Sequence, residues 1–127
     1  MTILQFTYPN MGQVVDQLDE HDLDSLDFGV IGFDHESIVR RYNAFESNAS
    51  GLSPERVLGK HLFSSVAQCM NNYMVAQRFE DALGEHVPLD ETIDYVLTLH
   101  MRPTKVKLRL ISAPDMAMRY VLVQWNL

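Results

Sequence analysis

Gly29-Val30-Ile31-Gly32-Phe33, then Asp34-His35-Glu36-Ser37, then Ile38-Val39-Arg40-Arg41-Tyr42: this stretch of the 127-residue chain decides the fold class. The first run is apolar throughout, as suits a strand in the middle of a sheet. The polar quartet turns the chain and the last run brings it back, so the spacing predicts a β-hairpin. Downstream, Asn43 is placed to cap a short helix through Phe45 and Glu46. Ser53-Pro54-Glu55 marks a second start, with Gly59 as its stop. Leu62, Phe63 and Val66 lead to Cys69, and Asn71 or Asn72 opens a longer helix over residues 73–84.

The last third alternates. Ile93, Tyr95, Leu97, Leu99 and Met101 fall on one side of a strand, and Val106, Leu108 and Leu110 on one side of the next, opposite Lys105, Lys107 and Arg109. Residues 120–125 close the sheet. A hairpin, helices and three strands imply an α+β domain: a central five-stranded antiparallel sheet with its helices on one side. Upstream, Val14, Val15 and Leu18, then Leu23, Leu26 and Phe28, suggest two short helices that form a separate front segment, residues 1–27, ahead of the core at 28–127.

Composition narrows the function. The net charge is -7, and residues 1–39 hold eight acids and no Lys or Arg. A basic footprint for nucleic acid or an anionic membrane is missing. The acidic front is read as a solvated face or as a segment that docks electrostatically and can be released. No apolar run approaches the ~20 residues of a membrane span. The N-terminus lacks the regions of a signal peptide, and the single cysteine suits a reducing compartment, so the cytoplasm is the expected location. The five scattered His and one Cys do not form a metal-ligand pattern.

The reactive groups cluster: Tyr42, Glu46, Ser50 and Cys69 lie within 28 residues, among apolar neighbours. Each has an ordinary reading. A lone Cys is usually a small buried hydrophobe, a Tyr at a strand end keeps its hydroxyl at the surface, and a Glu on a short helix is solvated. A nucleophilic enzyme built on Cys69 needs a base such as His61, His86 or His100, and no spacing brings one beside it.

With these residues in view, the chain resembles a PAS domain in Phe28-Gly29-Val30-Ile31, Tyr42-Asn43-Ala44, Gly51 and Val57-Leu58-Gly59-Lys60. More narrowly it resembles the photoactive yellow proteins, in Tyr42, Glu46, Ser50-Gly51, Gly59-Lys60-x-x-Phe63, Val66-Ala67-x-Cys69 and Met101-x-Pro103-Thr104-Lys105-Val106-Lys107. The resemblance implies a non-enzymatic blue-light receptor with p-coumaric acid held as a thioester on Cys69. It implies that Tyr42 and Glu46 donate to the phenolate, that Glu46 gives up its proton after light isomerises the chromophore, and that the N-terminal cap then loosens toward an unknown signalling partner. Ser50 supports Tyr42; Leu52, Leu62, Val66, Ala67, Leu97, Leu99 and Met101 line the pocket. The alternative is a PAS module that binds another small ligand or a protein partner.

The chemistry is demanding. In water Glu ionises near 4.3 and a phenol near 10, so holding a phenolate beside a neutral Glu46 asks for a reversal of about 6 pH units, or roughly 8 kcal/mol. Burial of Glu46 and charge-assisted hydrogen bonds to the anion are the means available. The sequence also departs from the family pattern. Leu52 stands in place of an arginine that covers the chromophore, Gln68 in place of a proline, Leu99 in place of a tyrosine, Leu62 and Leu97 in place of phenylalanines, and Ser50 in place of a threonine.

Overall fold

The computed structural model describes residues 4–98 and 103–125. Two short helices come first, α1 (Met11–Gln17) and α2 (Glu20–Asp24). The hairpin follows as β1 (Gly29–Phe33) and β2 (Val39–Tyr42). Ile38, expected inside β2, instead makes an isolated bridge to His61. Next are α3 (Ala44–Ser50), α4 (Pro54–Val57), a π-helical turn at Leu62–Val66, a 3-10 turn at Gln68–Met70 and α5 (Ala76–Glu85). Strands β3 (Leu89–Leu97), β4 (Thr104–Ser112) and β5 (Arg119–Trp125) complete an antiparallel sheet in the order β2-β1-β5-β4-β3.

Local chemistry explains most boundaries. The Asn43 side chain accepts from Glu46 N and caps α3, which ends on Gly51 at φ 80, a left-handed position that glycine adopts without a Cβ penalty. α5 starts later than its periodicity suggests, because the Asn72 side chain accepts from Met74 N and Val75 N and turns the chain there. It also runs past Gly84 and ends on His86, itself left-handed at φ 56.

The helices do not all lie on one side of the sheet. The inner face carries Ile31, Phe33, Leu108, Leu110, Val121 and Val123, which pack with Val57, Leu62, Phe63, Met70 and Phe79. The outer face carries Val30, Ile111, Tyr120 and Leu122, which pack with Phe6, Met11, Val15, Leu23 and Leu26 of the front segment. A strand such as β1, buried at every position, needs a layer over each face. The front segment supplies the second.

Polar bonds fasten that layer. Arg41, on β2, donates to Val15 O at 3.0 Å, to Leu18 O, to the Tyr120 hydroxyl at 2.8 Å and to Glu20 at 3.2 Å. Arg109, expected on a wet face, is instead buried. It grips Asp90 through two nitrogens at 2.7 and 2.8 Å and donates to Phe6 O and Tyr8 O at 2.8 and 2.9 Å. Acids of the front segment bind the body as well: Asp16 accepts from the Tyr120 hydroxyl and Asp24 from Ala44 N. The acidic front is therefore docked rather than only solvated.

Candidate functional site

The site lies between the inner face and the stretch from α3 to the 3-10 turn. Alternation along β2 sends Arg41 outward to the cap and Tyr42 inward. One helical turn apart on α3, Glu46 and Ser50 are both buried. Ser50 Oγ and the Tyr42 hydroxyl are 2.7 Å apart, and Ser50 Oγ also accepts from Leu52 N at 3.1 Å. Leu62, Ala67 and Leu97 are buried in the same core, and Leu52, Val66 and Cys69 pack half-buried against it. Leu99 and Met101 lie outside the described residues.

Glu46 is not solvated, contrary to its ordinary reading. It is only 2% exposed, and burial pushes its carboxyl from 4.5 up to about 8; a hydrogen bond from Trp125 pulls the other way. The carboxyl lies against β1 so closely that a Cβ on Gly29 would fall 1.9 Å from Oε1. Any larger residue at Gly29 would displace it. Burial likewise pushes the Tyr42 phenol up to about 12; the bond to Ser50 opposes this and the negative charge of Glu46 adds to it. In this surrounding both groups hold their protons at pH 7.

Two contacts were not among the expected site residues. Trp125 Nε1 donates to Glu46 Oε1 at 2.8 Å. The Tyr95 hydroxyl donates to the backbone oxygen of Cys69, an oxygen that also accepts from Asn72 Nδ2 at 3.1 Å. Tyr95, Val106 and Trp125 form one register row across β3, β4 and β5. The polar tips at its two ends thus meet Cys69, through its backbone oxygen, and the Glu46 carboxyl. The alternation Val121, Val123, Trp125 contained this signal: it puts the indole on the inner face, where its N–H needs an acceptor. The same row borders an open cleft of about 1000 Å³, lined also by Met74.

The histidines named as possible bases are engaged elsewhere or distant in role. His61 Nδ1 accepts from Ser64 N as the cap of the π-helical turn, and His86 is the exposed left-handed end of α5. His100 lies outside the described residues. Among the described residues, the one cluster with metal-ligand spacing is Asp19, His21 and Asp22, all exposed at the start of α2. No described helix is long and apolar enough to cross a membrane.

This architecture is that of a PAS domain, and the family model described as PAS fold matches residues 23–121. Two relatives, both photoactive yellow proteins, are more specific. That of Halochromatium salexigens is 32% identical over 113 residues, spanning 89% of this chain and 90% of its own, and that of Rhodothalassium salexigens is 29% identical over the same shares. Among solved structures, the photoactive yellow protein domain of the sensor histidine kinase Ppr from Rhodospirillum centenum is 32% identical, with a TM-score of 0.80 over 88% of this chain and 97% of that domain. The chain belongs to the photoactive yellow protein family. The PAS domain of the Cronobacter turicensis RpfR quorum-sensing receptor, solved with BDSF, shares the fold alone at 11% identity and a TM-score of 0.56.

Proposed function

We propose that this protein is a blue-light photoreceptor, a sensory rather than catalytic domain, with residues 1–27 as a cap on a PAS core. The observation that carries the reading is Glu46: a carboxyl that stays protonated at pH 7, next to Tyr42, in the core against which the sole cysteine packs. A structural surface glutamate needs none of this. The donor set suits p-coumaric acid, with one thiol for a thioester and two proton-bearing oxygens for a phenolate.

When bound to Cys69, p-coumaric acid supplies visible absorption and a double bond that light isomerises. The remaining work falls to the protein. Tyr42 and protonated Glu46 donate to the phenolate oxygen, and such charge-assisted bonds are about twice as strong as neutral ones. Ser50 orients the Tyr42 hydroxyl. Leu62, Ala67 and Leu97 exclude water, which keeps Glu46 neutral until an acceptor of higher basicity is presented. Loss of its proton leaves a carboxylate in a core that disfavours it, and that cost loosens the packing around α3 and the cap.

The test is an absorption spectrum after addition of an activated p-coumaric ester, with Cys69→Ser beside the wild type. A yellow band that bleaches in blue light, recovers in the dark and is absent from the mutant is the expected result. A colourless wild-type protein would refute it and favour a PAS module that binds another ligand or a protein partner.

A further inference from the structure

Trp125 meets Glu46 with its indole N–H at 2.8 Å and borders the open cleft with the same side chain. It is half-buried, so it forms part of the wall between solvent and a carboxyl that is 2% exposed.

We propose that Trp125 is a positioning residue for Glu46: its N–H holds Oε1, and its ring closes the site against the cleft. An N–H donor prefers the carbonyl oxygen of a protonated carboxyl, so Oε1 is the carbonyl oxygen and the proton sits on Oε2. That leaves Oε2–H to face the acceptor. When the proton passes from Oε2 to a base, which is water in the chromophore-free protein, the O–H bond breaks, a new bond forms between the proton and that base, the electron pair stays on the carboxylate, and the bond from Trp125 strengthens because its acceptor is now charged. Trp125 thereby makes the transfer easier. It offsets part of what burial costs the anion, and without it Glu46 would be harder to ionise. Tyr42 from β2 and Asp24 from α2 are the titratable groups that meet α3 in the described contacts. Neither is replaced in the variants below.

The consequence in light rests on the photoreceptor reading, but the contact itself is testable in the chromophore-free protein. The two parts of the role move the Glu46 titration in opposite directions. Trp125→Phe keeps a ring over the site and removes the donor; it is expected to raise the Glu46 midpoint by about one pH unit, a tenfold change in its ionisation constant. Trp125→Ala opens the site to water and is expected to lower the midpoint toward 4.5. The probe is the ¹³C resonance of the Glu46 carboxyl. In the wild type, the indole ¹⁵N–¹H resonance should titrate with the same midpoint as Glu46, and should cease to do so in Glu46→Gln.

An unchanged midpoint in Trp125→Phe, shifts of the same sign in both Trp125 variants, or an indole signal indifferent to Glu46→Gln would overturn the assignment. If Trp125→Ala does not fold, Trp125→Phe and the wild-type indole titration still decide it. A protein that shows these shifts but never turns yellow would sink the photoreceptor reading and leave Trp125 in its role. A yellow protein with an unmoved Trp125→Phe midpoint would do the reverse.

Discussion

On the inner face of the sheet one carboxyl, that of Glu46, lies almost wholly buried among aliphatic and aromatic side chains, whereas on the outer face Arg41 and Arg109 reach backbone oxygens of the cap and acids at its rim. The inner group can change charge near neutral pH, whereas the outer side chains are held in ion pairs and backbone bonds. On the photoreceptor proposal, the inner face responds to light and the outer face reports the displacement. They are joined at β2, where Tyr42 and Arg41 are neighbours on opposite faces, and at Asn43. The Asn43 side chain accepts from Val30 N and Glu46 N and donates to Leu23 O and Phe28 O. Asn43 thus bonds the start of α3 directly to Leu23 of α2.

The largest test of this contrast is pH. The unfolded chain ionises Glu46 near 4.5, while the folded protein keeps it neutral to about 8, so the folded state holds the extra proton across that window. The contribution of Glu46 to the stability of the chromophore-free protein is therefore fully present below about 4.5 and is lost as pH rises toward 8. Roughly 3.5 pH units at about 1.4 kcal/mol each come to about 5 kcal/mol. Urea denaturation from pH 4.5 to 8.5 should show this slope, and Glu46→Gln should flatten it.

Arg41→Ala should cost about 2–3 kcal/mol, because it removes the Arg41 donor from Leu18 O, from the Tyr120 hydroxyl and from Val15 O, which keeps Leu18 N. Hydrogen exchange should quicken in residues 11–18 while the Glu46 midpoint stays in place; a moved midpoint would show that the faces are less separate than drawn. Asn43→Ala should cost about 1–2 kcal/mol and disturb both faces together, as loss of a cap that also ties down α2. Leu52→Arg should change stability by less than about 0.5 kcal/mol, yet change the dark recovery rate of the reconstituted protein, measured by absorption after a flash.

Much of this was legible in the sequence for physical reasons. The hairpin at residues 29–42, the Asn43 cap and the alternation of β3 and β4 are local patterns, and local patterns survive folding. Tyr42, Ser50 and Glu46 are marked out by the family resemblance alone; nothing local says that a glutamate on a seven-residue helix will be buried. The front helices read as a separate segment, and the unbroken run Gly29–Phe33, which demands cover on both faces, is the cue to where they pack. Arg109 looked like the wet side of an alternating strand, because only the docked cap makes that side dry. The π-helical turn at Leu62–Val66 follows no simple period, and Trp125 depends on register across three strands. Those are tertiary facts.

The most direct test of the link between the faces is hydrogen exchange of residues 4–27 in reconstituted protein, in the dark and under blue light. Exchange is predicted to accelerate there in the light in the wild type, and to change little in Glu46→Gln, which has no proton to give. Equal protection of the cap in light and dark, in a wild type that bleaches and recovers, would contradict a cap released by the charge on Glu46.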